Sequence, residues 1–183
     1  MVYVYLATGF EEVEGLTAVD VLRRAGIDAK TVSVTGEKTV VGAHGIAVEA
    51  DILFEEADHE KCEMIVLPGG MPGALNLSEH KGLTDQIRAF AESADKKVAA
   101  ICAAPMVLAG CGVLDGRDAT IYPGMEDHLR GANHTGESVT VSGNIITGKG
   151  PALAMEFALA LVEALKGEKA RADIAKGLLF DRQ

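Results

Sequence analysis

The sequence has no tryptophan, and aromatic residues fill only 4% of its 183 positions. A core of that composition must be packed from Ala, Val, Leu and Ile. Positive charge is also short: 17 Lys and Arg stand against 27 Asp and Glu, a net charge of −10. Non-specific nucleic-acid binding needs a basic footprint, so no nucleic-acid partner is expected. No apolar run reaches the ~20 residues that span a bilayer, so no membrane partner is expected. The start, Met1-Val2-Tyr3-Val4-Tyr5-Leu6, lacks the basic region and cleavage site of an export signal and reads as a strand. Cysteine is scarce and odd in number, at Cys62, Cys102 and Cys111. Without an export signal, that pattern points to free thiols in a reducing cytoplasm. His44, His59, His80, His128 and His134 fall in no H-x-x-x-H or C-x-x-C context, so no metal is expected. The glycine-rich stretches match neither a P-loop nor a dinucleotide fingerprint.

What is present is 48% hydrophobic residues and 21 glycines, in a length that fits one domain over 1–183. Apolar runs at 2–7, 29–34, 64–67 and 97–101 read as strands, and 39–49, bent at Gly42 and Gly45, as a hairpin. Helical spacing predicts helices over 12–25, stopped by Gly26, over 80–94 with Leu83, Ile87, Phe90 and Ala94 on one face, and over about 152–165. Short strands are expected near 119–121, 138–142 and 145–147, and 168–180 is either a helix or an extended tail. Alternating strands and helices imply the α/β class: a mostly parallel sheet with helices on both faces. Ligands bind such sheets outside the carboxyl ends of the strands. The segment after Leu6, the loop Pro68–Gly73 and Cys102 converge there.

Cys102 ends the apolar run Val98–Ile101 and precedes Ala103-Ala104-Pro105, a helix start. A sharp turn at that junction pushes the sulfur out of the packed layer, and free helix amides favour its ionised form. The thiolate is the nucleophile, so the placement suits chemistry. The alternative is an inert cysteine used as a small core residue. Cys62 and Cys111 have no such context. Glu14 lies four residues before Ala18, in line with the apolar stripe Ala18, Val21, Leu22 and Ala25, whereas Glu11 and Glu12 read as solvated. An inward carboxylate needs a partner or keeps its proton, and a protonated Glu14 could donate a hydrogen bond to a thiolate. The alternative is that Glu14 is one more carboxylate favoured by the helix start, like its neighbours. The loop Gly69-Gly70-Met71-Pro72-Gly73 could present amides to an oxyanion, though glycine-rich strand-to-helix turns are common.

Four motifs in order resemble the ThiJ/PfpI superfamily, and within it the branch of the DJ-one protein deglycases and their bacterial relatives. They are Gly9-Phe10-Glu11-Glu12-Val13-Glu14, Val66-Leu67-Pro68-Gly69-Gly70, Ala99-Ala100-Ile101-Cys102-Ala103-Ala104-Pro105, and Gly150-Pro151 with Glu156-Phe157-Ala158. The resemblance implies a flavodoxin-like three-layer sandwich and a homodimer. It carries the reactive, oxidisable cysteine onto Cys102 and its protonated partner onto Glu14. It maps the oxyanion amides to Gly70 and Ala103, beside Gly69, and brings Arg24 near the site from its own or the partner subunit. Tyr122 stands where the family has a histidine, and its reference pKa of about 10 makes it a poor base near neutral pH. His44 stands where relatives carry a pocket arginine. The implied activity is cofactor-independent: a glyoxalase or deglycase acting on small 2-oxoaldehydes such as methylglyoxal, with Cys102 as nucleophile and Glu14 as acid and base. The alternatives are a redox-sensing protein whose Cys102 is oxidised and, with less support, a cysteine peptidase or amidase.

Overall fold

A computed structural model describes residues 1–180; the 1–183 span expected for the domain includes 181–183, which lie outside the described residues. In chain order the elements are β1 (Val2–Leu6), α1 (Glu12–Arg24), β2 (Ala29–Ser33), β3 (Thr39–Val41), β4 (Ala47–Glu49), β5 (Ile52–Leu53), β6 (Met64–Leu67), α2 (Gly73–Glu79), α3 (Lys81–Glu92), β7 (Lys97–Ile101), α4 (Pro105–Gly110), β8 (Asp118–Ala119), β9 (Asn133–His134), β10 (Val139–Ser142), β11 (Ile145–Gly148), α5 (Ala154–Lys166) and α6 (Glu168–Gly177).

The main sheet has the order β10-β11-β7-β6-β1-β2-β5. Its pairings are parallel except β10 with β11. Helices cover both faces, which is why β1 and β6 are apolar at every position rather than alternately. Val2, Val4 and Leu6 of β1 face one core with Met64, Val66, Ala99 and Ile101. Tyr3 and Tyr5 face the other with Ile65, Leu67, Val98 and Ala100. The first core takes Ala18, Val21 and Leu22 of α1 and Phe157, Leu161 and Val162 of α5. The second takes Leu83, Ile87 and Phe90 of α3 and Val107 and Leu108 of α4. Each large aliphatic or aromatic side chain buried this way contributes ~1.5–3 kcal/mol relative to exposure.

From β1 the chain first builds outward through β2 and β5, then returns to the other side of β1 with β6, β7 and β11. The strand order therefore reverses between β1 and β6, the position at whose carboxyl ends such sheets bind ligands. The turns after β1, β6 and β7 all lie at that end of the sheet.

The hairpin forms as β3 with β4, paired antiparallel apart from the main sheet. Gly26, with φ +65°, stops α1 as expected. Residues 168–180 resolve in favour of a helix, α6. Other expectations need correction. The single helix over 80–94 is preceded by a second one, α2, and Nδ1 of His80 accepts from the Leu83 N–H (3.1 Å), capping α3 and separating the two. The helix ends at Glu92, and Ala94 is exposed. The strands β5, β8 and β9 have only two residues each, too few for any periodicity to show.

Candidate active site

Cys102 follows β7 with φ +63°, a left-handed conformation that a side-chain-bearing residue rarely adopts. Its N–H donates to the Gly148 carbonyl (2.9 Å), and its carbonyl accepts from the Tyr122 N–H (2.9 Å). Those two bonds hold the strained turn and place the sulfur at the carboxyl end of β7, where the residue is 8% exposed. The backbone N–H groups of Gly70 and Ala103 lie near the sulfur and favour its charged form. The amides that serve it thus come from the β6 loop and the turn itself. The helix-start amides expected to stabilise it belong to α4, which begins only at Pro105.

Glu14 occupies the first turn of α1 and is 1% exposed, facing inward with Ala18, Val21 and Leu22 as its spacing predicts. Its Oε2 accepts from the Gly69 N–H (2.8 Å). Its Oε1 accepts no hydrogen bond from the described residues and is the oxygen left to carry a proton. The side chains of Glu14 and Cys102 lie beside each other, and each shifts the other's protonation. Gly69 lies between them. A Cβ there would sit 2.6 Å from Cys102 Cβ, 2.8 Å from Glu14 Oε2 and 2.9 Å from the Ala103 nitrogen, so only glycine fits. Gly70 has φ +85° and presses against the Gly9–Glu11 backbone, leaving a side chain no room there either.

Burial pushes the Glu14 carboxyl up to about 7, against the lowering effect of the Gly69 amide and Cys102. Burial, then the Glu14 charge, then the hydrogen bond to Glu14 push the Cys102 thiol up to about 12, with the Gly70 and Ala103 amides opposing. The expectation of a thiolate at neutral pH beside a protonated Glu14 is corrected accordingly: the sulfur lies in a partly desolvated site, and the carboxyl gives up its proton first. The pair titrates as a unit. The carboxyl gives up its proton near pH 7, and the thiol holds the last one up to about 12. While that proton stays on sulfur, Glu14 is a base beside a thiol; when it passes to Glu14, the sulfur is a thiolate near two amides and one O–H.

Glu12, expected to be solvated, is 4% exposed. Its Oε1 accepts from the N–H groups of His44 (2.8 Å) and Ile46 (3.4 Å), and its Oε2 pairs with His44 Nδ1 (2.8 Å). Burial raises its pKa, but these bonds outweigh burial and hold the carboxyl below the ordinary range. Sequence reasoning missed this residue. Its signal was Gly42, a glycine in the hairpin that marks close backbone approach, here against the Glu12 carboxylate.

Tyr122 is near the cysteine through its backbone, while its ring lies over Gly150 and is 46% exposed. His44 is on the exposed tip of the β3–β4 hairpin, paired with Glu12 rather than with Cys102. Arg24 closes α1, about 15 Å of helix from Glu14. It pairs with Asp20 (2.7 Å) and takes no part in the site of its own chain. The structure thus brings together Cys102, Glu14, Gly69, Gly70 and Ala103, with Tyr122 alongside, and leaves out Arg24 and His44. Cys62 Sγ donates to the Met64 carbonyl (3.2 Å) inside the core, and Cys111 lies beside Thr84; burial raises both thiols.

One group among the described residues could offer metal ligands: Glu11, Glu12 and His44, with donor atoms within 4.8 Å of one another. The Glu12 oxygens already accept from the hairpin, so the group is explained by that junction.

A sequence model of the DJ-1/PfpI family matches residues 1–164. The chain belongs to the DJ-1/PfpI family. Protein dj-1beta of Drosophila melanogaster is 39% identical over 178 residues, 96% of this chain and 95% of that protein. Deglycase PH1704 of Pyrococcus horikoshii is 33% identical over 163 residues, 87% and 96% of the two chains. The solved structure of oxidized Toxoplasma gondii DJ-1 superposes with a TM-score of 0.93 at 37% identity, covering 97% of each chain. The DJ-1 flavodoxin-like architecture expected from the sequence is therefore the fold of this family member.

Proposed function

We propose that this DJ-1/PfpI protein is a cofactor-independent glyoxalase or deglycase acting on small 2-oxoaldehydes, methylglyoxal among them, or on their adducts with proteins. The observation that carries the reading is the juxtaposition of Glu14 and Cys102 across Gly69, with the carboxyl pushed up to about 7 beside the sulfur and the Ala103 amide close by. The deglycase name of a relative 33% identical supports it.

Cys102 sulfur bonds to the aldehyde carbon as Glu14 takes the thiol proton, and a proton passes to the carbonyl oxygen, giving a hemithioacetal. Glu14 then removes the proton from that carbon and returns one to the neighbouring carbon. The result is a thioester of the 2-hydroxy acid. Water cleaves the thioester, releasing lactate from methylglyoxal and restoring the thiol. The net change is addition of one water, with no external oxidant or reductant. The Gly70 and Ala103 amides hold the developing oxyanion. Tyr122, where the family carries a histidine, leaves proton transfer to Glu14.

A homodimer fits the apolar residues that one copy leaves exposed, Val13 and Leu16 on α1 and Ile46 on the hairpin. A cytoplasmic setting fits three free thiols. No helix among the described residues is long and apolar enough to cross a membrane.

A second reading has its own support. The same three donors suit the oxygens of a sulfinate, formed as two peroxides each transfer one oxygen to Cys102 and leave as water. A close structural relative is an oxidized DJ-1. Methylglyoxal turnover by the parent and by Cys102→Ser decides between the two. Lactate formed by the parent and lost in a folded variant supports the enzyme; unchanged turnover in the variant refutes it. No turnover in the parent, with two oxygens gained at Cys102 under peroxide, favours the sensor.

A further inference from the structure

The strip Gly9–Glu11 lies between two structures. On one side is the Gly69–Gly73 loop: the Glu11 N–H donates to the Gly69 carbonyl (2.9 Å) and the Gly73 N–H to the Gly9 carbonyl (3.2 Å). On the other is the hairpin: the Gly9 N–H donates to the Val41 carbonyl and the Ala43 N–H to the Phe10 carbonyl, both at 2.8 Å. The hairpin pairs with no strand of the main sheet, so these bonds and those to Glu12 hold its tip in place. Glu12 ties the tip to α1 through two backbone N–H groups and His44 Nδ1. It is buried with no apolar role, and the proposed chemistry does not use it.

We propose that Glu12 is a positioning residue for the Glu14–Cys102 pair: by clamping the 42–46 turn onto the Gly9–Glu11 strip, it fixes the Gly69 and Gly70 amides against the carboxylate and the sulfur. The role rests on the proposed use of that pair. Its mechanical path runs from Glu12 through the hairpin tip and the strip to the loop. At Gly70 the loop backbone runs so close along the strip that an added Cβ would collide with the Glu11 nitrogen and the Gly9 carbonyl. Loss of the clamp lets the strip and loop shift together, and a misplacement of about 1 Å already changes rates steeply. The charged groups facing the junction are Glu11, 3.7 Å from His44 Nδ1, and His44 itself.

Two variants separate positioning from bulk stability. Glu12→Ala removes all three bonds. Glu12→Gln keeps an oxygen for the two N–H groups, but its NH2 needs a neutral His44 Nδ1 as acceptor. The readout is the rate of Cys102 alkylation by iodoacetamide against pH, followed by mass spectrometry beside the melting temperature. Glu12→Ala is expected to slow alkylation at neutral pH by about tenfold or more. Glu12→Gln is expected to match the parent at about pH 8.5 and fall behind at about pH 6, where His44 gains its proton. Parent-like alkylation in both variants at every pH, with only the melting temperature lowered, overturns the proposal. If Glu12→Ala does not fold, the pH dependence of Glu12→Gln decides alone, and its absence is equally fatal. Alkylation needs no turnover, so a parent inactive on methylglyoxal would sink the enzyme reading without touching this one.

Discussion

Gly69→Ala puts one methyl group into the centre of the site. The new carbon lies 2.6 Å from Cys102 Cβ, whereas ordinary contact begins near 3.4 Å, so one of the two must move by about 0.8 Å. Neither neighbour is the free end of a flexible chain. Cys102 is fixed by backbone bonds to Gly148 and Tyr122, and Glu14 by the Gly69 amide. Overpacking of this kind costs ~1–3 kcal/mol. The larger effect falls on chemistry, because the displaced atoms belong to the nucleophile, its base and the Ala103 amide: a shift near 1 Å lowers turnover by ~10²-fold. Lactate formation from methylglyoxal and urea denaturation measure the two effects. Gly110→Ala is the control: beyond its own helix backbone, no described atom lies within 4 Å of its added carbon, at the end of α4. Its stability should change by less than about 1 kcal/mol and its turnover not at all. A Gly69→Ala protein as stable and active as Gly110→Ala would refute the close geometry of the pair.

The pair also sets a pH dependence of stability. The Glu14 carboxyl is raised in the fold to about 7, so its contribution is fully present below its ordinary value of 4.5 and is lost as pH rises through 7. Glu14→Gln, which keeps an oxygen for the Gly69 amide and never ionises, is expected to gain stability relative to the parent as pH rises from 5 to 9, by up to roughly 3 kcal/mol in denaturation curves; a difference independent of pH contradicts the raised carboxyl. Tyr122→Phe removes a hydroxyl but keeps the N–H bond to Cys102. Its turnover should fall by less than about tenfold, short of the ~10²–10⁴ that a proton carrier supplies; a larger loss at unchanged melting temperature would make Tyr122 the proton carrier.

Much of this was readable from residue spacing. The apolar runs of β1, β6 and β7 had to be strands buried on both faces, and the four-residue step from Glu14 to Ala18 placed that carboxylate inward. The abrupt end of the β7 run at Cys102, followed by small residues and proline, marked the turn that sets the sulfur beside Glu14. Glu12 was not readable, because its burial depends on a hairpin brought back from thirty residues away to cover it. The acidity of Cys102 was misjudged for a related reason. Local sequence showed a helix start and a carboxylate, but which group keeps the last proton is set by burial and by the loop amides. The sequence placed Arg24 and His44 by resemblance alone, and neither meets the sulfur within the chain.

The central claim is that Glu14 and Cys102 titrate as one unit, and the pH profile of Cys102 alkylation in the parent and Glu14→Gln tests it most directly. The parent should rise in two steps, the first near pH 7 as the pair loses one proton and the second toward about 12 as it loses the last. Glu14→Gln should lose the first step, leaving a single rise below the parent's second, since the neighbouring charge is gone. A single rise near the ordinary thiol value of about 8.5 in both proteins would contradict the account.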